Sequence, residues 1–564
     1  MNSAVSKLQA RSADGSPLDP PRSTAAPGRG QEAGWKCVVA SLVRGAGWCA
    51  WLGVFGIVLL FIALRWHRCD APLIRDEGEY AYAAQLLQRG LAPYEYSFLQ
   101  KPPMVIYSYA LADAIAPTVF WAPRLLAYLF AAGATVLLGF IVRLEFGAGF
   151  ALPAMWLFTP MVLLPGVDQS IANTEMFLLL PLLACFALYV FSRHQGSSSV
   201  VWFLAGFFGA VSLGYKYTAL PLLTALYAGW SIEEWRRGTS PRVLCRRWLC
   251  GMLGGGIAGM AVLGFFLVRD GGRHLWECTV LFNRAYAASS NFGLHRIWVR
   301  LLEFWADWWI LFLLPCALFI KPRGRVWFWT AMFLAAWLTT GASYYRQYYV
   351  LVMPFWALLT AVAIKRLACW AASRPAWSEM WATRVFTALV LVMLCLPDLT
   401  AVVPTKQQLA NEQFDPLNPF PESLLVARRV AELTSPQDYV FVAGSEPQIL
   451  YYAQRFSPTR FVIAYPLMIP TALAQTFQQE AIRELERHPP SVVVRARSHT
   501  SWLDQAGTPP DFMNYLDKML AENYERVGGY VLGNQNGQWV EPLPDQDLLN
   551  ASLVLFRRRG IPGG

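Results

Sequence analysis

Charge is scarce in this chain: Lys, Arg, Asp and Glu together make up 15% of its 564 residues. Soluble domains carry roughly 25%, so an ordinary water-soluble globule is excluded. Cysteine is thin too. The ten are scattered, mostly inside apolar runs, and none follows Cys395, so no disulfide framework organises the chain. Only Cys69 and Cys278 fall in loops on one side of the topology derived below; one bridge or two separate thiols both fit, the second being the more ordinary state. Also missing are a P-loop, a zinc-ligand spacing, an RNA-binding motif, a fixed-period repeat and the inverted halves common in transporters.

What is abundant is apolar: 55% of the residues are hydrophobic and 14% aromatic, including 24 Trp and 23 Tyr suited to interfacial belts. This is the balance of a polytopic membrane protein. The net charge of +10 does not indicate nucleic acid, because the basic residues sit mainly in short loops between apolar runs. Residues 1–33, rich in Ser, Ala, Gly, Pro and Arg, read as a disordered cytoplasmic tail. No cleavable signal precedes Trp48, so the first span reads as an uncleaved anchor.

A span needs about 20 apolar residues. Eleven runs qualify: 48–64, 121–142, 149–165, 176–191, 200–214, 217–231, 248–268, 304–320, 326–341, 348–364 and 385–403. A twelfth run, 104–120, is short, contains Asp113 and has Pro at both ends. If it stays in one leaflet, Arg143, Arg193, Arg236, Arg237, Arg242, Arg246, Arg247, Lys321, Arg323, Arg325, Lys365, Arg366, Arg374 and Arg384 all face inward. If it crosses, those clusters are translocated, against the orientation rule. The non-crossing topology also puts the acidic motifs and the C-terminal portion on the outer face.

From about residue 404 short apolar strands alternate with amphipathic segments. Strands are expected at 439–443, 461–464, 491–496, 526–532 and 552–556, and helices at 422–433, 447–454, 472–487 and 510–522. That pattern predicts an α/β domain with a largely parallel sheet. Gly444-Ser445-Glu446-Pro447 reads as a strand-to-helix turn, weak as a nucleotide site because no glycine-rich fingerprint follows. The expected organisation is a tail (1–33), a transmembrane catalytic domain (34–403) and a C-terminal α/β domain (404–564).

The chemistry gathers just after the first span, in Arg75-Asp76-Glu77-Gly78-Glu79-Tyr80 followed by Lys101-Pro102-Pro103. Ionisable groups at a membrane boundary are costly and usually face a cavity that uses them. Carboxylates also suit a helix start, but a cap explains one acid, not Asp76, Glu77 and Glu79 together. Tyr80, Gln85 and Leu86 are expected to pack this helix on the membrane surface. Lys101 reads equally as a snorkelling side chain and as a point charge for phosphate. Asp168, Asn173 and Glu175 flank the fourth span on the same outer face, with Asn173 also a ready helix cap. Lys216, an outer lysine against the orientation rule, suggests a bound anion. Tyr345 and Arg346 belong to an aromatic cluster at 344–349, either an interfacial belt or a phosphate clamp with sugar-stacking rings. The loop 269–303 is placed to cover the cavity; its histidines are too dispersed for a metal site.

Asp76-Glu77-Gly78-Glu79-Tyr80 with Lys101-Pro102-Pro103-Met104 resembles the first-loop pattern of bacterial C-type (GT-C) glycosyltransferases, similar to protein O-mannosyltransferases and lipid A aminoarabinose transferases. The resemblance runs from Trp48 to Ala363 through Asn173-Thr174-Glu175, Lys216 and Gln347-Tyr348-Tyr349. It implies a GT-C fold in a bacterial inner membrane, with a cytoplasmic N-terminus and a periplasmic C-terminal domain. It also implies inverting transfer from a polyprenyl-phosphate sugar, with Asp76 (beside Glu77) as base, Lys101 and Lys216 on the lipid phosphate, and no required cofactor or metal. Many relatives have Asp within the segment reading Asn173-Thr174-Glu175 here, and His where Gln347 stands. The acceptor is left open between protein, lipid and glycan. A lipid-linked glycan flippase and a non-catalytic scaffold are the alternatives; a flippase predicts charges at mid-membrane, and a scaffold tolerates loss of Asp76.

Overall fold

The computed structural model describes residues 48–65, 69, 71–163, 172–269, 271–289, 294–316, 318, 324–340, 346–374, 378–399, 418–532 and 537–560. Residues 53–564 form one compact unit; of the unit comprising residues 1–52, only the start of the first helix is described. The expected tail, and the expected boundary at 403/404, lie outside the described residues.

The helices follow in order: α1 (Trp48–Arg65), α2 (Arg75–Gln88), α3 (Met104–Ile115), α4 (Trp121–Phe146), α5 (Ala148–Leu163), α6 (Thr174–Gln195), α7 (Ser199–Tyr215), α8 (Leu220–Arg236) and α9 (Pro241–Val268). After short helical segments over 272–289 come α10 (Leu294–Cys316), α11 (Gly324–Leu338), α12 (Met353–Ala371) and α13 (Glu379–Leu399). Each of the eleven expected spans overlaps one of these helices, with ends that differ by up to about ten residues. Among the described residues, α4, α6, α9 and α12 are long and apolar enough to cross a membrane, and α3, α5 and α7 are shorter apolar helices. α3 has 12 residues. At about 1.5 Å per residue it is roughly 18 Å long, too short for a hydrocarbon core of about 30 Å.

Close helix contact here depends on small residues. A Cβ at Gly206 of α7 would lie 1.9 Å from the carbonyl oxygen of Gly251 in α9, and one at Gly254 would lie 2.0 Å from that of Phe203. Only glycine permits this crossing. Trp202 and Trp230 stack beside it at 4.3 Å. At the ends of α4, α6, α8 and α11, the arginines of the basic loops meet two acids, the side chain of Glu145 buried and that of Glu233 partly so. Glu145 accepts from Arg325 at 2.6 Å and from Arg193 at 3.1 Å, and Glu233 accepts from Arg193 at 2.7 Å and Tyr189 at 2.6 Å. Tying four helix ends through two carboxylates neutralises charge that bare apolar surroundings would penalise.

The C-terminal part contains α14 (Glu422–Leu433), β1 (Val440–Ala443), α15 (Gln448–Ala453), α16 (Ala474–Arg487), β2 (Val492–Ala496), α17 (Asp511–Asn523), β3 (Tyr524–Val531), β4 (Gln538–Val540) and β5 (Ala551–Arg558). The four expected helices are present. The sheet order is β1-β2-β5-β3-β4, with only β1 and β2 parallel and the other pairs antiparallel. The expectation of a largely parallel sheet is therefore corrected. So is the expected strand at 461–464, which is a bend leading into the short helix Tyr465–Met468. Its apolar residues are buried by ring packing instead: Phe461 lies 5.5 Å from Phe98 and 5.5 Å from Phe477. Cys69 and Cys278 are not bridged.

The face of α2 expected to pack on a membrane surface packs on protein instead. Tyr80, Gln85 and Leu86 are buried within the protein, much of the surrounding surface being C-terminal. Leu73 N donates to Tyr452 Oη at 2.8 Å, Ser457 N to Tyr82 Oη at 3.0 Å, and Gln85 Nε2 to Gln454 Oε1 at 2.5 Å. A Cβ at Gly78 would meet the backbone N of Gln448 at 2.6 Å.

Candidate active site

The first turn of α2 carries Asp76 and Glu77, favourably placed at the positive end of the helix dipole. Glu77 reaches back to accept from Ile74 N at 3.2 Å. Its carboxylate also receives a two-pronged bond from Arg124 of α4, Nε to Oε1 at 3.0 Å and Nη2 to Oε2 at 2.6 Å. Arg124 spends its remaining donors on the carbonyls of Cys69 (3.1 Å), Pro72 (3.0 Å) and Ala71, and Ala172 N adds a 3.3 Å bond to Glu77 Oε1. Glu77, expected beside Asp76 as a catalytic acid, has both oxygens occupied. Its geometry is that of a buried strut.

Asp76 is half-buried and points to a different set of neighbours. Its charge acts on Glu79, Lys101 and Lys216. Glu79 is buried, and its Oε1 has no hydrogen-bond partner. Burial, reinforced by the charge of Asp76, pushes the Glu79 carboxyl well above the usual carboxylate range, with Lys101 pulling the other way. Its surroundings therefore favour the neutral form of the carboxyl over the charged one.

Lys101 enters from a braced segment: Tyr94 Oη donates to its carbonyl at 2.7 Å, and Asn283 Nδ2 donates to the carbonyl of Gln100 at 2.9 Å. Pro102 and Pro103 then restrict the backbone before α3. Burial opposes the Lys101 charge, but Tyr348, Asp76, Glu175 and Glu79 together hold its pKa above the usual lysine value.

The start of α6 closes the group. Asn173 caps the helix, accepting from Thr174 N at 2.8 Å, and also accepts from Tyr80 Oη at 3.1 Å. Glu175, 1% exposed, accepts from Thr174 Oγ1 at 2.7 Å and forms an ion pair with Lys216, the residue that follows α7. The Lys216 ammonium lies 3.3 Å from the centre of the Tyr348 ring. Burial lowers the Lys216 pKa to about 8, Glu175 opposing this shift and Lys101 adding to it.

The structure thus brings Asp76, Glu79, Lys101, Asn173, Glu175 and Lys216 together. Asp168 and Tyr345 lie outside the described residues. Arg346 opens the 3-10 turn Arg346–Leu351, and its side chain is likewise outside them. Among the described residues no three His, Cys, Asp or Glu side chains are grouped to hold a metal ion. Sequence reasoning missed Arg124, whose signal was an arginine in the first turn of an apolar helix, and did not separate Tyr348 from its aromatic neighbours.

No family model matches this chain, and no curated protein does. Solved structures do match its fold. A crystal structure of ArnT from Cupriavidus metallidurans bound to undecaprenyl phosphate superposes with a TM-score of 0.53 at 15% identity, covering 90% of this chain and 98% of that one. The same enzyme in the apo state gives 0.54 at 13% identity over 89% and 98%. The fold is that of the GT-C glycosyltransferases. The Archaeoglobus fulgidus oligosaccharyltransferase tethered to an acceptor peptide aligns at 0.49 and 12% identity, over 88% of this chain and 74% of that one. The GT-C fold expected from Asp76-Glu77 and Lys101-Pro102-Pro103 is present, and it spans the C-terminal domain as well as the helices.

Proposed function

We propose that this protein is a glycosyltransferase of a bacterial inner membrane that takes a sugar from a polyprenyl-phosphate carrier. The N-terminus is cytoplasmic, and the site and C-terminal domain face the periplasm; α3 stays within the outer leaflet. One observation carries the reading: a half-buried carboxylate, Asp76, shares a charged constellation with the two lysines Lys101 and Lys216. The solved ArnT with undecaprenyl phosphate supports a lipid-phosphate donor for a chain of this fold.

In the reaction Asp76 takes the proton of an acceptor hydroxyl or amine as that atom attacks the anomeric carbon. The bond from the anomeric carbon to the phosphate oxygen breaks, the configuration inverts, and the polyprenyl phosphate departs with its developing charge against Lys101 and Lys216. Glu79, buried with its Oε1 free of any hydrogen bond, is placed to bond a sugar or acceptor oxygen. Glu175 holds Lys216 until donor phosphate takes its place. Tyr345, Arg346 and Asp168 are assigned to the donor side, the ring of Tyr345 on the sugar and Arg346 on phosphate. The chain's own cations are given the phosphate, so no metal or cofactor is invoked. The acceptor is a protein, a lipid or a glycan.

Membranes containing the protein, supplied with a radiolabelled polyprenyl-phosphate hexose or pentose, should move label into a new product. Asp76→Asn should abolish the transfer with unchanged expression and melting temperature. Near-normal turnover by that variant removes Asp76 as base. Recovery of the protein with no prenyl phosphate among its lipids, by mass spectrometry, argues against the donor class.

A further inference from the structure

Three consecutive residues at the start of α2 are held in three directions, as expected when successive side chains leave a helix about 100° apart. Glu77 is tied to Arg124 in the helical bundle, and Asp76 faces the lysines. Arg75 turns to the C-terminal domain. Its Nε donates to Ser445 O at 2.6 Å, and its Nη2 donates to Glu446 Oε1 at 2.7 Å and Asn418 Oδ1 at 3.2 Å. The guanidinium also lies 5.7 Å from the centre of the Phe420 ring and 5.9 Å from that of Tyr465.

The receiving side is itself fixed. Glu446 is 0% exposed, and its second oxygen accepts from Gln448 Nε2 at 2.7 Å, an amide that also donates to Ser423 Oγ at 3.0 Å. Ser445 N donates to Ser501 Oγ at 2.7 Å, and Ser445 Oγ accepts from Ala464 N at 2.9 Å. The Gly78–Gln448 approach stops the helix from sliding along this surface. Docking alone does not require Arg75, since Leu73, Tyr82 and Gln85 already bond the same domain. What Arg75 adds is a charged anchor one residue from Asp76.

We propose that the C-terminal domain is part of the reaction site, with Glu446, acting through Arg75, a positioning residue for Asp76. The turn at 444–447, read from sequence as a strand-to-helix turn and only weakly as a nucleotide site, receives a side chain of α2. This rests on the reading of Asp76 as base.

The test compares Glu446→Gln with Tyr82→Phe in the full-length protein, the second removing an interdomain hydrogen bond farther along α2. Glu446→Gln should lower kcat at least ~10-fold, the scale that a sub-ångström misplacement of a reacting group produces. Donor KM should stay within about twofold, because the phosphate-binding lysines are untouched. Amide hydrogen exchange over residues 73–80 should quicken. Tyr82→Phe should leave kcat unchanged. Arg75→Gln with Glu446→Gln should lose no more than either single variant, since the two act as one unit. Multiplied losses, or unchanged kcat and exchange in Glu446→Gln, overturn the proposal. If that variant does not fold, Asn418→Ala is read on the same scales and should move both in the same direction. Quickened exchange at 73–80 in a protein whose wild type transfers no sugar upholds the anchor and removes the transferase reading instead.

Discussion

Arg124 and Glu77 meet through two hydrogen bonds, 3.0 and 2.6 Å long, with neither side chain more than 2% exposed. The pair joins the loop after α1, the first turn of α2 and the start of α4. Removing one partner leaves the other charge buried and alone, a change that typically costs about 3–5 kcal/mol. Arg124→Ala should therefore lower the melting temperature in detergent steeply. Asp76→Asn should leave it unchanged. Equal effects from the two would contradict the separation of strut from base.

Lys216 gives the proposed reaction an alkaline limit. Its pKa lies at about 8, so its charge is full below that value and is lost as pH rises through it. Donor KM should rise from pH 7 to pH 9. Lys216→Arg keeps its charge throughout and should flatten that limb, whatever it does to the maximal rate. A wild-type KM independent of pH over this range would dissociate Lys216 from donor phosphate.

Glu422 carries a stability signature in the C-terminal domain. Burial pushes its carboxyl up to about 7, with the charge of Glu446 adding to the shift, and its Oε2 has no hydrogen-bond partner. The folded state prefers this group protonated, so its contribution is fully present below the unfolded pKa near 4.5 and is lost as pH rises through about 7. Glu422→Gln should be the more stable protein at pH 8, by on the order of 2 kcal/mol, and should show no advantage at pH 4.5. Melting curves of both proteins at the two pH values check this.

The α7–α9 crossing separates two kinds of glycine. Gly206→Val places side-chain atoms where a Cβ already comes within 1.9 Å of a carbonyl oxygen, and should abolish recovery of folded protein. Gly256→Ala, with nothing within 4 Å of the added carbon, should be tolerated and gain up to about 1 kcal/mol of helix propensity. Size-exclusion profiles of the two variants decide it.

Most of the site was legible because its residues are out of place. Asp76, Glu79, Lys101, Glu175 and Lys216 are ionisable groups at the ends of apolar runs, where composition alone asks for a reason. Glu77 was not separable from Asp76. Adjacent helical residues point apart, and only the position of Arg124, 47 residues away in sequence, decides which acid is tied down. Arg75 was visible in the motif, but its partner Glu446 lies 371 residues on, a distance that no local pattern spans. In the C-terminal domain, periodicity located the helices and four strands. It carries no signal of strand direction, since β2 and β5 read alike whether paired parallel or antiparallel. The run at 461–464 satisfied the apolar pattern of a strand and found burial against Phe98 and Phe477 instead.

The glycine seam between α7 and α9 has a reach beyond its own contacts. Where two helices touch through main-chain atoms there is no layer of side chains to cushion a shift, so one becomes the datum for the other. α7 ends at Tyr215 and hands directly to Lys216, so the place of that ammonium in the site is inherited from Gly206, nearly three turns back along the helix.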